Sequence, residues 1–432
     1  MNSDEIKNEN DNEVEDTKED TVKGEPEDKA KGEPEDTAKK ADSELELKLA
    51  LDVNEIMRDM EENEEPRIEA VKPTKRKKWP YILLGIEILI LGLCVGGYNY
   101  AKHYVKTKFI NNINKIEDRT LGQQEIEEIR SEAEAETEPS EDNIDDVMKN
   151  LIEGDAKSFF EQGEITHDNY VKNILLIGTD VRVSDSWNGN SDSVILISIN
   201  RKKKKIAMTS FMRDSYIYIP EVDMCNKLNF AHASGGGALL TKTIEGNFKV
   251  HIDGFMRVDF YSMMEIVDTI GGVDMELIPD ELPVANKYIS EMADHVPGCN
   301  AEENYLTEAG YVHLNGIQAV AYARIRYVGN ADYERTNRQR KILTEIFKEC
   351  KTMSVSEIQK FATDVLPKIA TNMESEEIWD IVKSALSYLK YDVVSERVPF
   401  DDASHSEMIN GQSSLVLDMK KNVELLLDTI YN

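Results

Sequence analysis

Arginines gather in one stretch of this chain in a pattern that suits an anion. Arg324 and Arg326 lie within Ala321-Tyr322-Ala323-Arg324-Ile325-Arg326-Tyr327, and Arg335, Arg338, Gln339 and Arg340 follow closely. On an extended strand, Arg324 and Arg326 would point to one face. On a helix, Arg335 and Gln339, four apart, would share a face. A guanidinium stays protonated and grips phosphate through two parallel hydrogen bonds. In a chain of formal charge −32, such a gathering points to a bound anion.

Two carboxylates stand in matching places. Asp180 follows the apolar run Ile174-Leu175-Leu176-Ile177, and Asp192 precedes the run Val194-Ile195-Leu196-Ile197. If those runs are neighbouring strands, the carboxylates meet, and two carboxylates with phosphate oxygens and water make a Mg2+ site. Taken singly, each aspartate would cap a turn or strand, and each arginine would be a surface or salt-bridge residue. Arg182, Arg213, Arg324 and Arg326 together favour the site, because metal plus arginines is how charge on a moving phosphoryl group is stabilised. Other chemistries find little support. The chain has no GxxxxGK[ST], HExxH or GxSxG, and His232, His251 and His313 lack metal spacing and read as structural.

These groups need a frame. A third run, Ile206-Ala207-Met208-Thr209, leads to Phe211-Met212-Arg213-Asp214. Continuous apolar runs suit strands buried on both faces. Helical patterns are expected at about 238–247, 261–270, 335–350 and 355–388, a strand near 393–398, and a terminal helix at 415–431. The expectation is a single α/β domain over 170–432, with a mixed central β-sheet of five or six strands flanked by helices.

The chain ahead of that domain divides by composition. Residues 1–70 hold 26 Asp+Glu and 10 Lys+Arg. Residues 1–78 therefore read as an acidic, disordered cytoplasmic tail, with a transient amphipathic helix over 43–60. The acidic balance over the whole chain argues against a nucleic-acid partner. Lys75-Arg76-Lys77-Lys78 abuts an apolar run over 79–100 with Trp79, Tyr81, Tyr98 and Tyr100 at its ends. That pattern predicts one transmembrane helix in a cell membrane, N-terminus cytoplasmic, with the large remainder outside. Glu87 is the one acid within it. Residues 101–169 read as a helical stalk. Among the four cysteines, Cys225 and Cys299 are expected to bridge, against the alternative of free thiols.

The ordered motifs resemble the LytR-CpsA-Psr family of bacterial cell-envelope phosphotransferases. They are Asn173 through Arg182, Ser191-Asp192-Ser193, Arg213-Asp214, Lys227 through Ala231, Gly271 through Asp274, Leu314 through Gly316, Ala321 through Tyr327, and Arg335 through Gln339. The resemblance implies transfer of a glycopolymer, such as a teichoic acid or capsular polysaccharide, from a polyprenyl-pyrophosphate carrier to peptidoglycan in a Gram-positive bacterium. It implies Mg2+ held by Asp180 and Asp192, and pyrophosphate bound by Arg182, Arg213, Arg324, Arg326, Arg335 and Gln339. Asp214 would orient Arg213 or help deprotonate the acceptor. A channel for the polyprenyl tail would draw on Leu239, Leu240, Phe255, Phe260 and Met264, which read equally well as core. Two departures stand out. Asn190 replaces the arginine usual before Ser-Asp, and Met212 the proline usual before Arg-Asp. Two other readings use the same residues: a membrane-anchored regulator that binds a lipid pyrophosphate without turnover, and a pyrophosphohydrolase with water as acceptor.

Overall fold

The computed structural model describes residues 79–117, 120–135, 143–180 and 191–432, and, for 79–85 and 143–146, the backbone alone. The acidic tail with its expected helix, the basic cluster, Arg182 and Asn190 lie outside the described residues. The chain divides into two units, Met1–Gly85 and Ile86–Asn432, and every described strand belongs to the second.

Thirteen strands are described. In chain order they are β1 (Asn114–Lys115), β2 (Val171–Thr179), β3 (Ser191–Asn200), β4 (Lys205–Phe211), β5 (Ser215–Ile219), β6 (Met224–Lys227), β7 (Gly254–Asp259), β8 (Val273–Leu277), β9 (Gly310–Leu314), β10 (Ala370–Thr371), β11 (Asp392–Val398), β12 (Ser404–Ile409) and β13 (Gln412–Leu417). Seven make a mixed sheet in the order β1-β10-β7-β2-β3-β4-β11. Its centre, β2-β3-β4, is antiparallel, while β7 runs parallel to β2 and β11 parallel to β4. The expected mixed sheet flanked by helices is present. It has seven strands instead of five or six, because β1 and β10, at one side of the sheet, are two-residue strands too short to show a period.

The apolar runs are buried on both sides, as expected for central strands. Val194 and Leu196 face a cluster with Leu239, Leu240, Ile244 and Phe248 of helix Leu228–Phe248. Ile195 and Ile199 face the other way, toward Tyr388, Leu343 and Phe347. Helix Leu228–Phe248 is broken at Gly236, whose φ of 64° suits glycine. A second cluster joins helices Phe260–Thr269, Glu281–Ala293 and Gly316–Arg324 to the antiparallel β8–β9 pair. A smaller sheet, β12-β13-β5-β6, flanks the site.

Three expectations are overturned. The stretch 321–327 is not a strand: helix Gly316–Arg324 covers most of it, started by a capping box between Asn315 and Gln318. The terminal helix begins at Met419, because Gln412–Leu417 pairs with β12 and β5. Cys225 and Cys299 are free thiols. Cys225 packs with Tyr216 and Tyr218, and Cys299 against the second cluster, so the two belong to different cores.

The segment 101–169 supplies strand β1 and helices Gln123–Ala135 and Asn143–Glu161. The chain before it forms helix Trp79–Lys108, 30 residues long. Among the described residues no helix is long and apolar enough to cross a membrane.

Candidate functional site

The open end of the β2–β3 pair is where the carboxylates meet. Thr179 pairs with Ser191, so Asp180 and Asp192 emerge side by side from neighbouring strands. The register shifts at Gly178, where an added Cβ would sit 2.9 Å from that of Ser193. Burial raises the Asp180 pKa above the ordinary carboxylate value, the Asp192 charge adds to it, and Arg324 partly opposes.

Arginines close over this end from three directions. Arg213, just past β4, places Nη1 2.5 Å from Asp192 Oδ1. Arg335, on helix Ala331–Thr352, places Nη1 3.5 Å from the same oxygen and Nη2 3.1 Å from Asp332 Oδ1. Arg326 Nη2 donates to Asp332 Oδ2 at 3.0 Å. Gln339, one turn beyond Arg335, donates to the Asp192 carbonyl at 3.4 Å. Arg324 ends helix Gly316–Arg324 and lies over two rings, 5.1 Å from the Phe260 centroid and 4.9 Å from that of Tyr288.

Several of these polar atoms are buried without a hydrogen bond among the described residues: Arg213 Nε, Arg335 Nε and Gln339 Oε1. Burial lowers the Arg335 pKa, and the neighbouring Arg213 charge lowers it further. The two guanidinium nitrogens are donors held in that state and are set for an anion that supplies acceptors and charge, while the Gln339 oxygen is an acceptor.

Asp214 sits beside Arg213 but faces a different neighbour. Its Oδ1 is 3.1 Å from Lys227 Nζ, and its Oδ2 is 3.9 Å from Arg213 Nε. Burial would push its carboxyl up, but Lys227 and Arg213 outweigh that and hold it below the ordinary value. It is ionised at neutral pH.

Two cavities meet at this arginine cluster. One, of about 280 Å³, is walled by apolar side chains including Leu176, Ile195, Phe260, Met263, Ile342 and Leu343, with Asp192, Arg213, Arg324, Arg326, Arg335 and Gln339 also lining it. The other, of about 380 Å³, is polar and is lined by Asp214, Lys227, Asn229 and residues of the β12–β13 hairpin. Arg213 and Arg326 line both.

The structure therefore brings together Asp180, Asp192, Arg213, Asp214, Arg324, Arg326, Arg335 and Gln339, while Arg182 lies outside the described residues. Other members of the arginine stretch point elsewhere. Arg338 pairs with Glu281 at 2.6 Å deep in the core, and Arg340 donates to Ser395 Oγ. Of the five apolar residues expected to line a lipid channel, Phe260 lines the apolar cavity; Leu239, Leu240, Phe255 and Met264 are core. Asp332 and Tyr288 go beyond the residues expected from sequence, and Lys227 stands there only as part of a motif, with no role given to it. The three-residue spacing of Asp332 and Arg335 was the signal for the first.

Among the described residues, the group of three metal-ligating side chains lies apart from this cluster, at His167, His251 and Asp253. His251 instead bonds Glu245, and Asp253 pairs with Lys172.

The fold is an α/β domain in which carboxylates and arginines converge where an apolar and a polar cavity meet. The chain belongs to the LytR_cpsA_psr family, whose model matches residues 128–429. It is 31% identical over 240 residues to the polyisoprenyl-teichoic acid–peptidoglycan teichoic acid transferase TagU of Bacillus licheniformis, covering 54% of this chain and 71% of that one. It is 30% identical over 235 residues to Biofilm regulatory protein A of Streptococcus mutans, covering 51% of this chain and 55% of that one. The chain thus spans little more than half the length of the second relative. A crystal structure of a Streptococcus agalactiae protein matches with a TM-score of 0.51 and 27% identity, over 60% of this chain and 86% of that one.

Proposed function

We propose that this protein transfers a glycopolymer of teichoic acid or capsular polysaccharide type from a polyprenyl-pyrophosphate carrier to peptidoglycan. The observation that carries the reading is the junction of the two cavities. Arg213 and Arg326 line both, and buried, unbonded guanidinium nitrogens sit where a pyrophosphate would lie between an apolar tail and a polar head. The transferase name of a relative supports the same class.

In this reading the apolar cavity holds the first part of the polyprenyl tail. Arg213, Arg324, Arg326, Arg335 and Gln339 bind the pyrophosphate, with Arg182 as a further candidate. Preorganised cations are worth most where charge develops on a transferring phosphoryl group, in a site that excludes water. Asp214 lines the polar cavity and not the apolar one, which favours proton acceptance from the acceptor hydroxyl over mere orientation of Arg213. Asp180 and Asp192 suit Mg2+. Their carboxylates repel one another, Asp180 makes no ion pair among the described residues, and a hard cation takes carboxylate oxygen. Bound there, Mg2+ would neutralise charge on the phosphoryl oxygens.

The same reading places the protein in the membrane through residues 79–100, with the N-terminus cytoplasmic and the site outside. Ile88, Leu89, Leu91 and Leu93 of helix Trp79–Lys108 are more than half exposed, as lipid-facing side chains would be. The test is transfer by purified full-length protein from a synthetic polyprenyl-pyrophosphate glycan to wall fragments. A regulator without turnover would bind the donor and release no polyprenyl phosphate.

A further inference from the structure

The backbone holds three metal-ligating side chains together away from the arginine cluster. Thr166 and Val250 form a parallel bridge, and the Thr166 carbonyl accepts the His251 N–H at 3.0 Å. That pairing sets His167 beside His251, with ring centroids 4.7 Å apart and planes crossing at 74°. Asp253 follows, its N–H donating to the Asn173 carbonyl at 2.8 Å. One ligand atom from each of His167, His251 and Asp253 lies within 4.8 Å of the others. Tetrahedral zinc with bonds of about 2.0–2.1 Å needs ligand atoms about 3.4 Å apart, so side-chain shifts of about 1 Å close the set. His167 is exposed and has room to make such a shift.

The neighbours orient these groups without using them up. Glu245, in the last turn of helix Leu228–Phe248, accepts the Ile252 N–H at 2.7 Å through Oε1. The same oxygen faces His251 Nδ1 at 2.9 Å and is the acceptor there, so Nδ1 carries the proton and Nε2 keeps a lone pair. A carboxylate behind an imidazole is the usual support of a metal-ligating histidine. Asp253 Oδ1 faces Lys172 Nζ at 2.8 Å, and Oδ2 accepts the Asn173 N–H at 2.7 Å. Each oxygen still has a second lone pair to offer. A cavity of about 480 Å³, lined by His167, Glu245, His251 and Asp253, gives an ion entry and room for water. Lys242, also on its wall, is paired with Glu221, which leaves Lys172 to offset two carboxylates, Glu245 and Asp253.

We propose that His167, His251 and Asp253 bind a transition-metal cation of the Zn2+ type, with Glu245 as the positioning residue behind His251 and water in the fourth place. Two imidazoles and one carboxylate suit Zn2+, whereas Mg2+ takes oxygen ligands. The site is separate from the Asp180–Asp192 pair. Asp253 bonds Asn173 near the start of β2, and Asp180 follows the end of that strand, so the two places are roughly 20 Å apart along it. The ion ties the segment leading into β2 to the one leading into β7, its parallel neighbour in the central sheet. The assignment does not depend on the phosphotransferase reading.

The test uses full-length protein in detergent, without a histidine tag, stripped with EDTA and then desalted. Zn2+ is titrated in excess Mg2+ by equilibrium dialysis, with bound metal counted by mass spectrometry. Wild type should take up a single saturable Zn2+ per chain and gain Tm as it does so. Glu245→Gln should weaken binding by about tenfold, the usual loss when a partner behind a ligand is changed, and His167→Ala by at least as much. The metal-free Tm of His167→Ala should match that of wild type, because the ring is exposed. Asp180→Asn should bind Zn2+ as wild type does. Absence of saturable Zn2+ binding in wild type overturns the assignment. So does an unchanged Zn2+ affinity in His167→Ala, or loss of Zn2+ in Asp180→Asn, which would give the ion to the aspartate pair.

Discussion

Arg213 Nη1 and Asp192 Oδ1 stand 2.5 Å apart, although the residues are 21 positions apart in the chain. The contact exists because β3 and β4 are antiparallel neighbours, which brings the start of one beside the end of the other. It fixes the guanidinium at the junction of the two cavities before any ligand arrives, and such preorganisation is what a charge-developing reaction uses.

Arg213→Ala should therefore lower transfer by about 10²–10³-fold, the usual cost of one preorganised stabiliser. Folding should survive, since Arg335 still pairs with Asp192. Rates with a matched thermal melt check both halves.

Asp180→Asn should separate stability from function. Burial and Asp192 raise the Asp180 carboxyl pKa, so the folded state holds its proton more tightly than the unfolded chain. Its charge then costs stability once pH rises above the folded pKa. In EDTA at pH 7 the variant should melt higher than wild type. Adding Mg2+ should raise the Tm of wild type and leave the variant nearly unmoved. Equal Mg2+ responses would remove Asp180 from the metal site.

Arg338 should behave quite differently from its neighbours. It and Glu281 are almost fully buried and 2.6 Å apart. Glu281→Gln leaves a buried guanidinium uncompensated and should cost about 3–5 kcal/mol of stability. Chemical denaturation would show it, with no defect in rate per folded molecule.

His313 gives a pH signature away from the site. Its Nδ1 faces Asp274 and its Nε2 faces the Gly271 carbonyl, each at 2.7 Å, and these two acceptors raise its pKa. The contribution is fully present below the unfolded value of about 6.5 and is lost as pH rises through the higher folded value. The side chain is largely exposed, so the effect stays below about 1 kcal/mol. The Tm advantage of wild type over His313→Gln should shrink from pH 5.5 to pH 8.5.

Much of the site was legible because its residues sit at the ends of strong local patterns. Asp180 and Asp192 flank uninterrupted apolar runs, and those runs formed β2 and β3 as neighbours. Arg335 and Gln339 kept their helical face. Arg324 joins the cluster from the end of a helix and not from the expected strand, because Val320 and Tyr322 suit strands while the Asn315–Gln318 cap decides for helix. Arg338 looked like Arg335 in sequence. Its partner, Glu281, lies 57 residues away, and long-range pairing leaves no local trace. The same holds for Leu239 and Phe255, whose apolar character fits a lipid channel and a core alike. The β12–β13 hairpin was less legible for a related reason: the end of β13, from Leu415, also suits the start of the last helix, since Leu415 and Leu417 fit either period.

The most direct measurement is a mass-spectrometric assay of purified full-length protein with a polyprenyl-pyrophosphate glycan and peptidoglycan fragments, with and without EDTA. The account predicts that polyprenyl phosphate and glycan-linked fragments appear together and in equal amounts, that EDTA suppresses both, and that Arg213→Ala does the same while remaining folded. Donor that binds and stays intact, or transfer that proceeds equally well in EDTA or with folded Arg213→Ala, would contradict it.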